Sequence, residues 1–284
     1  MDDVALLSVE ERVATVTLNR PEARNALSRQ LLGALTRVVR DADERDDVDV
    51  LILTGADPAF CAGLDLKELG RDGGPLRDLA RRDVARRTND SDVDSANVND
   101  DDAGTTTPPP RGRQAILPTT KPVIGAVNGV AVTGGLELAL NCDFLVASDR
   151  ARFADTHARV GVHPLWGLTV LLPQAVGMRR ARQMSATGNF VDAHTALAWG
   201  LVNQVVPHAE LLPFARQLAG DIVSNDQRAV RAILATYDAV NRAPGEEGWE
   251  TEARHAAAFQ GGGVEPADIE RRRRGILDRG RSQV

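Results

Sequence analysis

Short β-type apolar runs alternate along most of the chain with stretches whose apolar residues recur at helical spacing. Residues 4–7 and 13–18 form the first pair of runs, and the charged Glu10-Glu11-Arg12 between them predicts a hairpin. Asn19-Arg20-Pro21 ends it. Ser28 stands where an N-cap belongs, ahead of Leu31, Leu32, Leu35, Val38, Val39 and Ala42, whose spacing predicts a helix running into the acidic stretch 41–49. Residues 50–53 read as a buried strand. The same succession returns as a strand over 123–127, a helix over 136–141 and a strand over 144–147, with no repeat in the sequence itself. This predicts an α/β domain built from related units. Beyond Gly161, residues 168–176 and 179–187 read as helices, Asp192 is placed to cap a helix over 193–199, and 202–206 return to a strand pattern. After that the strands stop. Residues 211–223, 229–240, 249–259 and 266–277 are successive amphipathic helices, with Gly261-Gly262-Gly263 as a flexible break between the last two. The expected organisation is an α/β core over 1–206 and a C-terminal helical subdomain over 207–284.

With 284 residues and 43% hydrophobic content, the chain can bury one substantial core with a smaller appended domain. The formal charge of -6 argues against a general nucleic-acid role, and the arginine run 271–274 reads as a solvated helix face. Cys61 and Cys142 are too few for a disulfide framework or a zinc cluster, so the expected compartment is the reducing cytoplasm. Met1 is followed by Asp2 and Asp3 rather than a basic and apolar leader, and no apolar run approaches membrane-spanning length. Neither secretion nor membrane insertion is expected.

Candidate chemistry gathers at two glycine turns. In residues 121–143, KPVIGAVNGVAVTGGLELALNCD, a strand passes through Thr133-Gly134-Gly135 into an apolar helix. Glycine lets the backbone approach a ligand, and the first N–H groups of the helix have no intrahelical partner, so a negative oxygen can dock there. Glu137 is a carboxylate in the first turn of this otherwise apolar helix, readable as a helix-start acid favoured by the macrodipole or as a functional group. A second strand, loop and helix start follows residues 50–53 in TGADPAFCAGLDLKE. Here Gly63 frees the backbone before Leu64, Asp65 lies near the helix start, and Lys67 is either solvated or available to a phosphate. Cys61 reads as a small apolar core residue, because no histidine follows at a nucleophile's spacing.

Phe60-Cys61-Ala62-Gly63-Leu64-Asp65-Leu66, followed by Ala126-Val127-Asn128-Gly129 and Gly134-Gly135-Leu136-Glu137-Leu138, resembles the enoyl-CoA hydratase/isomerase (crotonase) family. The likeness takes in Asn19-Arg20-Pro21, Asn25-Ala26-Leu27, Cys142-Asp143, Ala151-Arg152-Phe153 and Gly200-Leu201-Val202, and covers most of 4–206. It implies a crotonase-like spiral of ββα units whose C-terminal helical subdomain serves trimerisation and pocket closure. The implied partners are an acyl-CoA thioester substrate and further copies of the chain, as a homotrimer or a dimer of trimers. Coenzyme A enters as the carrier of the substrate, and no other cofactor or metal is required. By motif position, the backbone N–H groups of Leu64 and Gly134 would hold the thioester oxygen. Ala62, Asp65 and Leu66, with Gly63 among them, would border the path of coenzyme A, and Arg24 and Lys67 would contact its phosphates.

In members of this family that hydrate a double bond, two glutamates flank one water. Glu137 matches the first, and the second position falls on His157 in Phe153-Ala154-Asp155-Thr156-His157-Ala158-Arg159. An imidazole accepts a proton and an imidazolium donates one, so His157 can serve as acid or base near neutral pH; otherwise it lines the acyl pocket. Asp155 shares a side with His157 if the segment is extended and diverges from it if helical. Leu165 occupies the place of the aspartate nucleophile of dehalogenase-like members, so a covalent aspartyl route is not expected, and Leu165 with Trp166 narrows the acyl pocket. His163, His194, His208 and His255 are expected to be surface or packing residues. Residues from about 72 to 113 depart from compact relatives as an insertion rich in Asp, Asn, Thr and Pro, which is expected to be mobile, as a spacer or a lid. The expected activity is hydration of a 2-enoyl-CoA, with Glu137 as primary acid/base. The alternatives are an enoyl-CoA isomerase or acyl-CoA thioester hydrolase using Glu137 alone, and a catalytically silent CoA-binding or assembly protein.

Overall fold

The structure, a computed structural model, describes residues 4–72, 74–75, 116–164 and 166–241. The chain forms two compact units, Met1–Ser224 and Asn225–Val284. In the first, β1 (Ala5–Glu10) and β2 (Val13–Leu18) make the expected hairpin, pairing antiparallel from Ala5↔Leu18 to Glu10↔Val13. A type I′ hairpin turn needs positive φ at both central positions, and Glu11 (47°) and Arg12 (65°) adopt it without glycine. The Arg12 guanidinium is held by the Asp49 carboxylate and the Asp46 carbonyl.

Helix α1 (Arg29–Glu44) follows, with the Ser28 hydroxyl accepting from the Leu31 N–H at 3.1 Å. It turns Leu31, Ala34, Leu35, Val39 and Ala42 inward. At its far end the buried Lys121 ammonium donates to the carbonyls of Ala42 and Arg45 at 2.9 and 2.6 Å, which satisfies groups that have no intrahelical donor. Strand β3 (Val50–Gly55) runs parallel to β2, and the next strand of the same sheet is β5 (Val123–Val127). Every residue of these two strands is buried, as a parallel sheet covered on both faces requires. With β7 (Phe144–Ser148) and β10 (Gln204–Val206) the sheet has six strands in the order β1-β2-β3-β5-β7-β10. One face packs with α1. The other face, from Val13, Val50, Ile52, Ile124, Ala126 and Val146, meets Leu211, Ala215 and Ala219 of α8 (Leu211–Val223). That helix, read from sequence as part of the C-terminal helical layer, therefore covers the sheet and lies within the first unit.

A second sheet has four very short strands in the order β4-β6-β8-β9: β4 (Ala59–Cys61), β6 (Val130–Val132), β8 (Arg152–Ala154) and β9 (Val191–Asp192). Sequence pattern assigns no strand to 130–132, because three residues are too few to display a period. With this sheet the repetition becomes visible. Strands β3, β5 and β7 of the large sheet each lead to a short strand of the small one and then to a helix: α2 (Leu66–Asp72), α3 (Gly134–Leu140) and α4 (His157–Val160). The expected spiral of ββα units is the fold observed. Among the described residues, the first unit also has α5 (Leu168–Val176), α6 (Met178–Thr187) and α7 (Ala193–Trp199), the last capped by Asp192 at 2.8 Å as expected. In the second unit, α9 (Gln227–Val240) is capped by Asp226, which accepts from the Ala229 N–H. Almost all of the expected insertion over 72–113, Leu165, His255, the helices over 249–259 and 266–277, the triple glycine and the arginine run 271–274 lie outside the described residues.

Candidate active site

Small-sheet strands β4 and β6 pair at Cys61↔Ala131 and deliver the two glycine turns side by side. Their closeness depends on missing side chains. A Cβ on Gly63, whose φ is 88°, would meet the Val132 carbonyl at 2.8 Å, and one on Gly135 would meet the Cys61 carbonyl at 2.2 Å. In the first turn, the Gly63 carbonyl and the Asp65 N–H both bond to Leu27, at 2.7 and 3.1 Å, which leaves the Leu64 N–H pointing the other way. In the second, helical bonding begins with the Glu137 N–H on the Thr133 carbonyl, so the Gly134 N–H precedes it. Neither Leu64 nor Gly134 donates its N–H to a backbone acceptor among the described residues, and both positions are buried. A Cβ on Gly134 would stand 3.0 Å from the Trp166 ring and 3.3 Å from Leu27, so this residue is pressed between side chains.

Glu137 and His157 come together, each less than 5% exposed. The Glu137 Oε1 accepts from the Trp166 N–H at 2.7 Å, and Oε2 lies 3.3 Å from His157 Nε2. On the far side of the imidazole, Nδ1 meets Asp155 Oδ1 at 2.6 Å, and the same oxygen accepts from the His157 backbone N–H at 3.1 Å. Asp155 lies on the same side as His157, the relation expected of an extended segment, although the backbone reaches it by a turn. Asp155 precedes the single helical turn α4 and its carboxylate folds over the start, so ring and backbone of His157 share one acceptor, the Asx arrangement of a turn. Burial lowers the pKa of His157, but the hydrogen bonds to Asp155 and Glu137 outweigh it and raise the value to about 9. Asp155 is lowered below the usual carboxylate range: against burial, its bonds to His157 and Ser185 favour the charged form. The imidazolium thus lies between two carboxylates. Asn141 braces the cluster from behind, its amide donating to the Glu137 and Trp166 carbonyls at 2.7 and 2.8 Å. Sequence reasoning missed the Trp166 and Asn141 contacts; the first is a backbone donor, which no residue identity announces.

The residues expected along coenzyme A are near the first turn. The Ala62 N–H donates to the Arg24 carbonyl at 3.0 Å, bringing these two stretches together, while the Arg24, Leu66 and Lys67 side chains are exposed. Asp65 is engaged locally: its carboxylate takes both Arg20 Nη atoms at 3.1 Å and the N–H groups of Lys67 and Glu68 at 3.0 and 3.3 Å. Partial burial opposes ionisation there, and Arg20 with those N–H groups lowers the pKa regardless. Away from this region His163 bonds to the Pro164 carbonyl, and His208 bridges Ser148 and Asp57 at 3.0 Å each. Cys61 is fully buried, and desolvation pushes its thiol up to about 12, which makes it a core residue rather than a nucleophile.

Repeated ββα units that set two outward backbone donors beside a buried carboxylate define the crotonase class of α/β proteins. The chain belongs to the enoyl-CoA hydratase/isomerase family, which matches it over residues 8–87 and 91–262. It is 37% identical over 226 residues, 80% of this chain and 75% of the relative, to the probable peroxisomal enoyl-CoA hydratase 1 of Arabidopsis thaliana. It is 35% identical over 245 residues, 84% of this chain and 80% of the relative, to the short-chain-enoyl-CoA hydratase of Clostridium acetobutylicum. Among solved structures it is similar to enoyl-CoA hydratase from Mycobacterium tuberculosis H37Rv, at 47% identity and a TM-score of 0.69, covering 91% of this chain and 99% of that one.

Proposed function

We propose that the protein hydrates a 2-enoyl-CoA thioester through an enolate, with Glu137 as base and His157 as acid. The observation that carries this is the direct approach of Glu137 Oε2 to His157 Nε2 at 3.3 Å, beside the two free backbone donors. Trp166 occupies Oε1, so Oε2 is the oxygen left to receive a proton. Asp155 occupies Nδ1, so the proton that His157 exchanges is the one on Nε2.

In this reading the thioester oxygen accepts from the Leu64 and Gly134 N–H groups, which stabilise the charge that develops there as water adds to C3. Water loses a proton to Glu137 Oε2 as its oxygen bonds to C3, the double-bond electrons pass to the thioester oxygen, and His157 Nε2–H protonates C2. Glu137 then holds a proton that His157 lacks, and the direct contact returns it. The charge of the cluster is unchanged over the cycle. A histidine at this position supplies its proton as a cation between two carboxylates, without any carboxyl having to stay neutral. Coenzyme A is the substrate's carrier, no resident cofactor is required, and Ala62, Gly63, Asp65 and Leu66 border its path with Arg24 and Lys67 toward its phosphates. We place the protein in the cytoplasm, as a homotrimer or dimer of trimers; no described helix is long and apolar enough to cross a membrane. The test is loss of the conjugated thioester absorbance of crotonyl-CoA and of longer 2-enoyl-CoAs. Tight binding of these esters without turnover would sink the proposal.

A further inference from the structure

Thr133 has a backbone that side chains avoid. Its φ of 54° and ψ of -117° belong to the first central position of a type II′ turn, where glycine is the default and a β-branched residue is an outlier. Such a conformation persists only where the surroundings hold it. The Thr133 N–H donates to the Ala154 carbonyl at 3.0 Å, and its carbonyl accepts from the Glu137 N–H at 3.0 Å. Its hydroxyl is hydrogen-bonded to the hydroxyl of Thr156, and its Cβ lies 3.0 Å from where a Cβ on Gly63 would stand.

These contacts reach every part of the site. Gly63 precedes the donor Leu64, Glu137 is the base, and Ala154 and Thr156 flank Asp155 immediately before His157. The peptide joining Thr133 to Gly134 is planar, so ψ of Thr133 sets the direction of the Gly134 N–H. We propose that Thr133 is a positioning residue whose bond to Thr156 locks the Gly134 N–H in register with His157, so that oxyanion donor and proton donor are set as one piece. A glycine would adopt the turn without strain but would leave the two segments tied through backbone alone. The proposal rests on the hydration reading above.

Two substitutions cut the same bond from opposite ends. Thr133→Val keeps the branched shape and removes the hydroxyl; Thr156→Val does so at a residue with an ordinary φ of -106°, so folding does not depend on a strained position. Each is expected to lower kcat for crotonyl-CoA by roughly three- to tenfold, the worth of one buried hydrogen bond. KM should change by less than about twofold, because the lost interaction acts on the transition state. The double variant should be no slower than either single one, since both remove one bond, and Thr133→Ser should recover most of the loss. A second readout needs no turnover: acetoacetyl-CoA bound as its enolate absorbs in the near ultraviolet, and both valine variants should weaken that band. If the unmodified protein hydrates no 2-enoyl-CoA but the valine variants still lose the band, the hydration reading fails and the positioning role stands. Wild-type kcat and an unchanged band in both valine variants, or losses that multiply in the double variant, would overturn the proposal.

Discussion

At the scale of single residues, His157 departs furthest from the two-glutamate arrangement, and the proposed acid role can be tested through its neighbours. A raised pKa of about 9 keeps the imidazolium form through neutral pH, so kcat should hold there and fall as pH rises through about 9. Asp155 acts through His157, so Asp155→Asn should move that falling limb to lower pH while leaving substrate binding intact, as a pH–rate profile at saturating substrate would show. The same shift bears on stability. A folded pKa above the unfolded value contributes stability that is complete below the ordinary histidine range and is lost as pH climbs through about 9. Glu137→Gln keeps an oxygen for the Trp166 N–H but removes the base, and it should lower kcat by roughly 10²–10⁴-fold with acyl-CoA binding retained. Glu137 and His157 were both legible in the sequence, one as a motif residue and one as its absence. Their partners were not. Asp155 was readable only as extended or helical relative to His157, whereas the carboxylate folds back on a turn.

Among the elements, those with a full period were readable and those without were not. The helix over 29–44 announces itself by a cap and a repeating apolar face, and Ser28→Ala should cost about 1 kcal/mol in urea unfolding with turnover unaffected. The small sheet has strands of two or three residues, carries no periodic signal, and yet holds both glycine turns in place. Gly135→Ala tests that placement. Its Cβ would fall 2.2 Å from the Cys61 carbonyl, backbone against backbone, so α3 must move away from β4. The expected result is a loss of about 1–3 kcal/mol, as for overpacking elsewhere, with a fall in kcat because both donors shift.

On the scale of the whole molecule, the sheet is closed on one face by α1 and on the other by α8, while Val170, Met178 and Phe190 of the first unit remain more than half exposed. Large apolar side chains left at a surface are candidates for burial between copies, and we expect light scattering to give the mass of three or six chains. A monomer at working concentration would remove the trimer from the proposal. The sequence by itself determined which residues are candidates for the chemistry and which long segments become strands or helices, because motifs, caps and apolar periods are properties of contiguous residues. Only the tertiary structure decided that the two glycine turns lie side by side, that Glu137 and His157 touch, and that Asp155 holds the ring from its other side. The first two relations join residues far apart in the chain, and their distances exist only once the two sheets have formed.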